Sequence, residues 1–159
     1  MAEETKVIQA REVYRTVCAA LDNRDWRYEK VEDELLVHFR VSGDDLPMQF
    51  IIQADADRQL LRLHSPMTFK ISEAKRLDGA IAATAASYGM ALGSFDYDLS
   101  DGTISFRLNS CFRDSTLGEG QVQFMLSLSW VMVDEYNDQF LALEKGAITI
   151  EHFLEKTNQ

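Results

Sequence analysis

Cysteine, proline, basic charge and long apolar runs are all scarce in this 159-residue sequence, and each shortage excludes something. Two cysteines cannot build a disulfide scaffold. Cys18 and Cys111 are far apart and belong to no Cys-x-x-Cys pair, so both read as reduced thiols that behave as small apolar residues. With 2 Pro and 8 Gly there is no collagen-like repeat and no low-complexity linker. No stretch approaches the ~20 apolar residues that a membrane-spanning helix needs, so no membrane contact is expected. Sixteen Lys and Arg stand against 26 Asp and Glu, for a net charge of -10. Nucleic acid is therefore a disfavoured partner, because affinity for phosphate grows with the counterions that a basic face displaces. The segment Met1-Ala2-Glu3-Glu4-Thr5-Lys6 is acidic where an export signal is basic and then apolar, which leads to an expectation of a cytoplasmic protein.

What remains is a composition suited to one core. The chain is 46% hydrophobic and 10% aromatic, long enough to bury a continuous interior over residues 1–159 as a single domain. Residues 5–23 place Val7, Ala10, Tyr14, Val17 and Leu21 at steps of three and four, the spacing of an amphipathic helix. Residues 26–31 and 35–41 follow as strands around a turn at Glu32-Asp33, the second alternating Val37, Phe39 and Val41 with His38 and Arg40. Met48 to Ala54 reads as strand three, and strand four carries Leu61 and Leu63 until Pro66 ends it. From Ile71 to about Met90 an Ala- and Gly-rich helix is expected, with small residues that permit close approach to a neighbour. Phe95, Tyr97 and Leu99, the turn Asp101-Gly102, then Ile104, Phe106 and Leu108 form a hairpin pattern. Thr116-x-x-Glu119 resembles a capping box that opens a helix to Glu144, and a short helix is expected over 149–156. The fold class is thus α+β: an antiparallel sheet with helices packed mainly on one face, in the order α-β-β-β-β-α-β-β-α-α.

No catalytic motif emerges from spacing. Asp96-x-Asp98-x-Ser100-Asp101-Gly102 has alternate oxygen ligands, but Asp101 stands where a calcium loop needs glycine and Arg107 where it needs a bidentate glutamate. His38, His64 and His152 share no metal-ligand spacing, and neither a metal nor a cofactor is expected. No nucleophile, base and oxyanion donor can be grouped, so the chain reads as a non-enzyme. On the polar side of the sheet, His38, Arg40, Arg62, His64 and Arg107 would gather into a cationic patch able to hold a small anion or an acidic peptide. The bland reading of the same residues is that they pair across strands with nearby carboxylates.

Two segments then carry a resemblance. Gly93-Ser94-Phe95-Asp96-Tyr97-Asp98-Leu99 and Asp101-Gly102-Thr103-Ile104-Ser105-Phe106-Arg107, continuing to Val133-Asp134-Glu135-Tyr136, are similar to the hairpin and following helix of the YbjN family, the bacterial sensory transduction regulators. The resemblance extends over nearly the whole chain. It implies a fold like that of type III secretion chaperones, and a small cytosolic bacterial adaptor with no catalytic residues to carry over.

The long helix at 119–144 has apolar residues on more than one face, more than a single sheet can cover. Phe124, Leu128, Trp130, Val131 and Met132 are the expected contacts with a partner, either a second copy in a homodimer or another, unidentified protein. The leading expectation is a protein-protein interaction module, adaptor- or chaperone-like, in bacterial regulation or stress signalling. The alternative is a sensor domain that binds a small anionic ligand on the polar sheet face.

Overall fold

The computed structural model describes residues 2–158. Its elements are α1 (Glu3–Asn23), β1 (Glu29–Val31), β2 (Leu36–Ser42), β3 (Pro47–Asp55), β4 (Leu60–Lys70), α2 (Arg76–Ser87), β5 (Ser94–Tyr97), β6 (Thr103–Cys111), α3 (Glu119–Glu144) and α4 (Ile150–Thr157). Single 3-10 turns at Glu32–Glu34 and Glu73–Lys75 precede β2 and α2. This is the α+β order read from the sequence. All six strands join one antiparallel sheet in the spatial order β1-β2-β3-β4-β6-β5. Among the described residues, no helix is long and apolar enough to cross a membrane.

Alternation fixes which sheet face is inside. Val37, Phe39, Met48, Phe50, Ile52, Leu61, Leu63, Phe106 and Leu108 are all buried, whereas their neighbours in sequence turn the other way. On the inner face α1 packs against β3, α3 crosses β4 and β6, α2 lies along β5, and α4 contacts both α2 and α3. At one end Phe39 stacks on Phe50 with centroids 5.3 Å apart, and Trp26 tilts against Phe39 at 5.6 Å. At the other, Phe95 meets Phe106, Tyr136 and Phe140 edge to face at 5.2 to 5.4 Å, and Phe153 of α4 joins Phe140. Such pairs add to the burial term and fix the relative placement of four elements.

Three local expectations change. Pro66 does not end β4, which continues to Lys70 with an irregularity between the two residues. A proline inside a central strand leaves a carbonyl without its ladder donor. The buried Ser65 hydroxyl supplies the missing bond, donating to the Gln49 carbonyl at 2.7 Å. The Ala-rich helix is shorter than 71–90, because Ile71 is tied by its N–H to Gly102 before the helix begins and Tyr88 turns extended at its end. The long helix opens at Gly118 rather than Thr116, with the Gln121 side chain accepting from the Gly118 N–H at 2.8 Å.

Gly102 holds the β5–β6 turn against the segment before α2. Its φ is +78°, and a Cβ there would lie 1.9 Å from the Ile71 carbonyl oxygen. Arg76 completes this junction by donating to the carbonyls of Ile71, Leu99 and Ser100. Gly102→Ala combines a left-handed backbone with a main-chain clash, and is expected to cost more than about 2 kcal/mol. Urea denaturation of wild type and variant measures it, and a difference below about 0.5 kcal/mol would show that the junction yields freely.

Candidate functional site

The outer face of the sheet bears no helix, so its side chains must satisfy one another or water. Cross-strand register places Glu29, His38, Ile51, His64, Arg107 and Ser94 in one row across all six strands. Arg62 and Arg40 lie in the flanking rows, beside Gln53 and Gln49 respectively. All five residues of the expected cationic patch therefore share one face.

Charge on that face is largely cancelled. Arg107 grips Asp96 with two bonds of 2.7 and 3.0 Å, His38 Nε2 is 3.4 Å from Glu29, and Arg62 is 3.6 Å from Asp55. Burial opposes ionisation of Asp55, yet bonds and charge from Arg58 and Arg62 prevail and lower its pKa. Arg40 alone among the five cationic candidates stands exposed with no ion pair among the described residues. His64 sits between Arg62 and Arg107 with its Nε2 buried and unbonded. The arrangement is mostly the cross-strand pairing expected of a solvated sheet face, in which each pair contributes little. The carboxylates of the hairpin are committed in the same way: Asp98 accepts from the Ser100 N–H and hydroxyl, and Asp101 from the Thr103 N–H.

The apolar candidates divide into two groups. On α3, Phe124 and Val131 are 55% and 47% exposed and point outward, while Leu128, between them at steps of four and three, is partly buried against the core. Trp130 and Met132 are partly buried and packed against the core. A charge at Trp130 would thus strike the interior, and its indole N–H is buried without a partner. Much of the surplus apolar surface of α3 is covered within the molecule. The Arg24 side chain reaches over from α1 to the Gln123 side chain, the Gln123 carbonyl and the Ser127 hydroxyl, and Asp44 of the β2–β3 turn donates its N–H to Asp134 at 2.9 Å.

A second open apolar face belongs to α2. Gly79, Ala82, Ala83 and Ala86 turn inward, and Gly79 lies so close to Tyr97 that a Cβ would sit 2.6 Å from its hydroxyl oxygen. The opposite side carries Leu77, Ile81, Thr84 and Tyr88 at steps of four, three and four; Leu77 is 74% and Tyr88 91% exposed. The Thr84 hydroxyl is spent on the Ala80 carbonyl, leaving its methyl outward. Ile81, Thr84 and Tyr88 of this stripe, with Leu154 and Asn158 of the α4 end, line an uncharged groove of about 500 Å³. Leu99 and Leu92, in the loops flanking β5, are also about half exposed. The step pattern of 77, 81, 84 and 88 is itself a sequence signal, masked by the alanines that mark the helix's inner side.

Burial, with Arg62 and Arg107 nearby and Asp96 opposing them, lowers the His64 pKa below its ordinary 6.5. Between the lowered value and 6.5 the unfolded chain binds more protons than the folded one, so stability decreases as pH falls through that window. His64→Gln is expected to flatten this part of the stability curve, followed by urea midpoints from pH 7.5 to 5. An unaltered slope would mean that His64 titrates alike in both states.

No family model, no curated protein and no solved structure matches this chain.

Proposed function

We propose that the chain is a non-enzymatic protein-protein interaction module, adaptor-like in role, that pairs with a second copy of itself and presents a further apolar face to another protein. The observation that carries this reading is the α2 stripe. Leu77, Ile81, Thr84 and Tyr88 repeat at the 4-3-4 spacing by which one helix seats its side chains between those of another. The groove along this stripe is lined by no carboxylate, in a molecule whose net charge is -10. Two like-charged copies can approach at such a face without paying Coulomb repulsion at contact. The small inward residues bring α2 close to β5, so the stripe rides on a firmly seated helix.

Phe124 and Val131 of α3, flanking the partly buried Leu128, suit the second role, a shorter stripe for a different protein. The alternative of a small-anion sensor on the sheet face has less support, because three of its five cationic candidates already face carboxylates within 3.6 Å. Assignment to the YbjN family and to bacterial regulation rests on the hairpin and helix resemblance alone.

Light scattering of the wild-type chain at micromolar concentration should give the mass of a dimer, and Ile81→Glu with Tyr88→Glu should give a monomer with unchanged far-ultraviolet circular dichroism. A wild-type monomer would remove the self-pairing half of the reading. The partner half is read separately, by affinity capture from the native host followed by mass spectrometry. Phe124→Glu with Val131→Glu should lose a captured protein that wild type retains, and equal capture by both would exclude the α3 stripe.

A further inference from the structure

A cleft of about 560 Å³ lies between α1 and the segment that runs from β1 through its 3-10 turn, away from both apolar stripes. Arg11, Tyr14, Arg15 and Cys18 form the α1 wall, one helical turn apart in pairs, and Asp22 closes its far end. Lys30, Glu32, Asp33 and Leu35 form the other wall, and Leu35 adopts a left-handed conformation, φ 50°, that folds the turn back over the helix. The volume lies within the range of small-molecule sites.

The charges around this cleft are balanced but incompletely paired. Neither Arg11 nor Arg15 has a carboxylate within 4.0 Å among the described residues, and Asp33 has no basic partner within that distance. Asp22 is committed to the Tyr28 hydroxyl at 2.8 Å, and Glu32 stands 4.0 Å from Lys30. An inorganic anion here would face Glu32 and Asp33, and a simple cation would face Arg11 and Arg15. A molecule with both charges avoids either penalty.

At the floor is a buried hydroxyl with poorly formed bonds. Tyr14 is only 5% exposed, and its hydroxyl faces Cys18 and Glu32 without a hydrogen bond of good geometry to either. A buried hydroxyl without a well-formed bond is unfavourable, and a bound polar group would satisfy it. Burial and the neighbouring Cys18 and Glu32 push the Tyr14 pKa up to about 12, and burial also raises those of Cys18 and Tyr28. Two of these groups, Tyr14 and Cys18, line the cleft itself, and perturbed groups cluster at functional sites.

We propose that this cleft binds a small zwitterion, a free amino acid or a dipeptide. Its carboxylate faces Arg11 and Arg15, its ammonium group faces Glu32 and Asp33, and a polar atom meets the Tyr14 hydroxyl. This makes the interaction module a ligand-responsive one, and the proposal stands apart from self-pairing because no residue of either apolar stripe enters the cleft.

The probes are the standard free amino acids and their glycyl dipeptides, each at about 5 mM, read as the rise in melting temperature and then by calorimetry. At least one should raise the Tm, and its N-acetylated and C-amidated forms should bind about tenfold more weakly or worse. Arg11→Gln with Arg15→Gln should abolish the rise, and Tyr14→Phe should weaken binding severalfold. The two arginines are exposed and unpaired, so their replacement leaves the fold intact, as circular dichroism would verify. The proposal is overturned if no probe shifts the Tm, if the blocked forms bind equally well, or if the double arginine variant responds like wild type.

Discussion

A sheet covered on one face only must make its other face compatible with water from its own side chains, and this asymmetry governs the rest of the molecule. Every long helix is recruited to the inner face, where the buried positions of six strands demand an apolar cover. The outer face solves the opposite problem by setting acid and base in register across strands. Glu29 meets His38, Asp96 meets Arg107, and Asp55 holds Arg58 and Arg62. The result is a nearly neutral polar surface with little residual field to draw an ion.

Crowding the helices onto one side has a second consequence. With α1 and α3 over the middle strands, α2 lies along the β5 edge and α4 bridges α2 and α3. At that edge α2 does two things at once. It protects the end of the sheet, since the Ser87 hydroxyl accepts the Phe95 N–H that an edge strand would otherwise leave free. Its outer side is covered only at the α4 end among the described residues, so Leu77, Ile81 and Tyr88 stand in solvent. The same position that makes α2 a guard for the sheet leaves it an open apolar face.

The architecture was legible because strand alternation and helical spacing are local signals, and His38, Arg40, Arg62, His64 and Arg107 were correctly assigned to one face by period two alone. What alternation cannot convey is who sits opposite whom. The pairing of Arg107 with Asp96 depends on β5–β6 register, and that of Arg62 with Asp55 on side chains meeting across the β3–β4 turn. A patch that looks cationic along the chain is therefore neutral across it. Pro66 is a similar case: it reads as a strand terminator until Ser65 is seen to replace the missing donor. For α3, apolar count overstated exposure, because the flank that carries Trp130 and Asp134 meets α1 and the β2–β3 turn rather than solvent.

The distribution of acidic charge links these surfaces. Carboxylates on the sheet face are spent in ion pairs, while Asp44, Asp45, Asp134 and Asp138 gather where the β2–β3 turn meets α3. There, burial and the nearby Asp45 raise the Asp138 pKa, a sign that negative charge is crowded. A macromolecule approaching this protein meets a negative field over most of its surface, and the two uncharged stripes interrupt it. Association of the kind proposed would draw on the apolar area removed from water, while the carboxylates left outside the contact would add no repulsion within it. Raising the ionic strength should therefore screen the remaining like-charge repulsion and not weaken the contact as it weakens a salt-bridged interface.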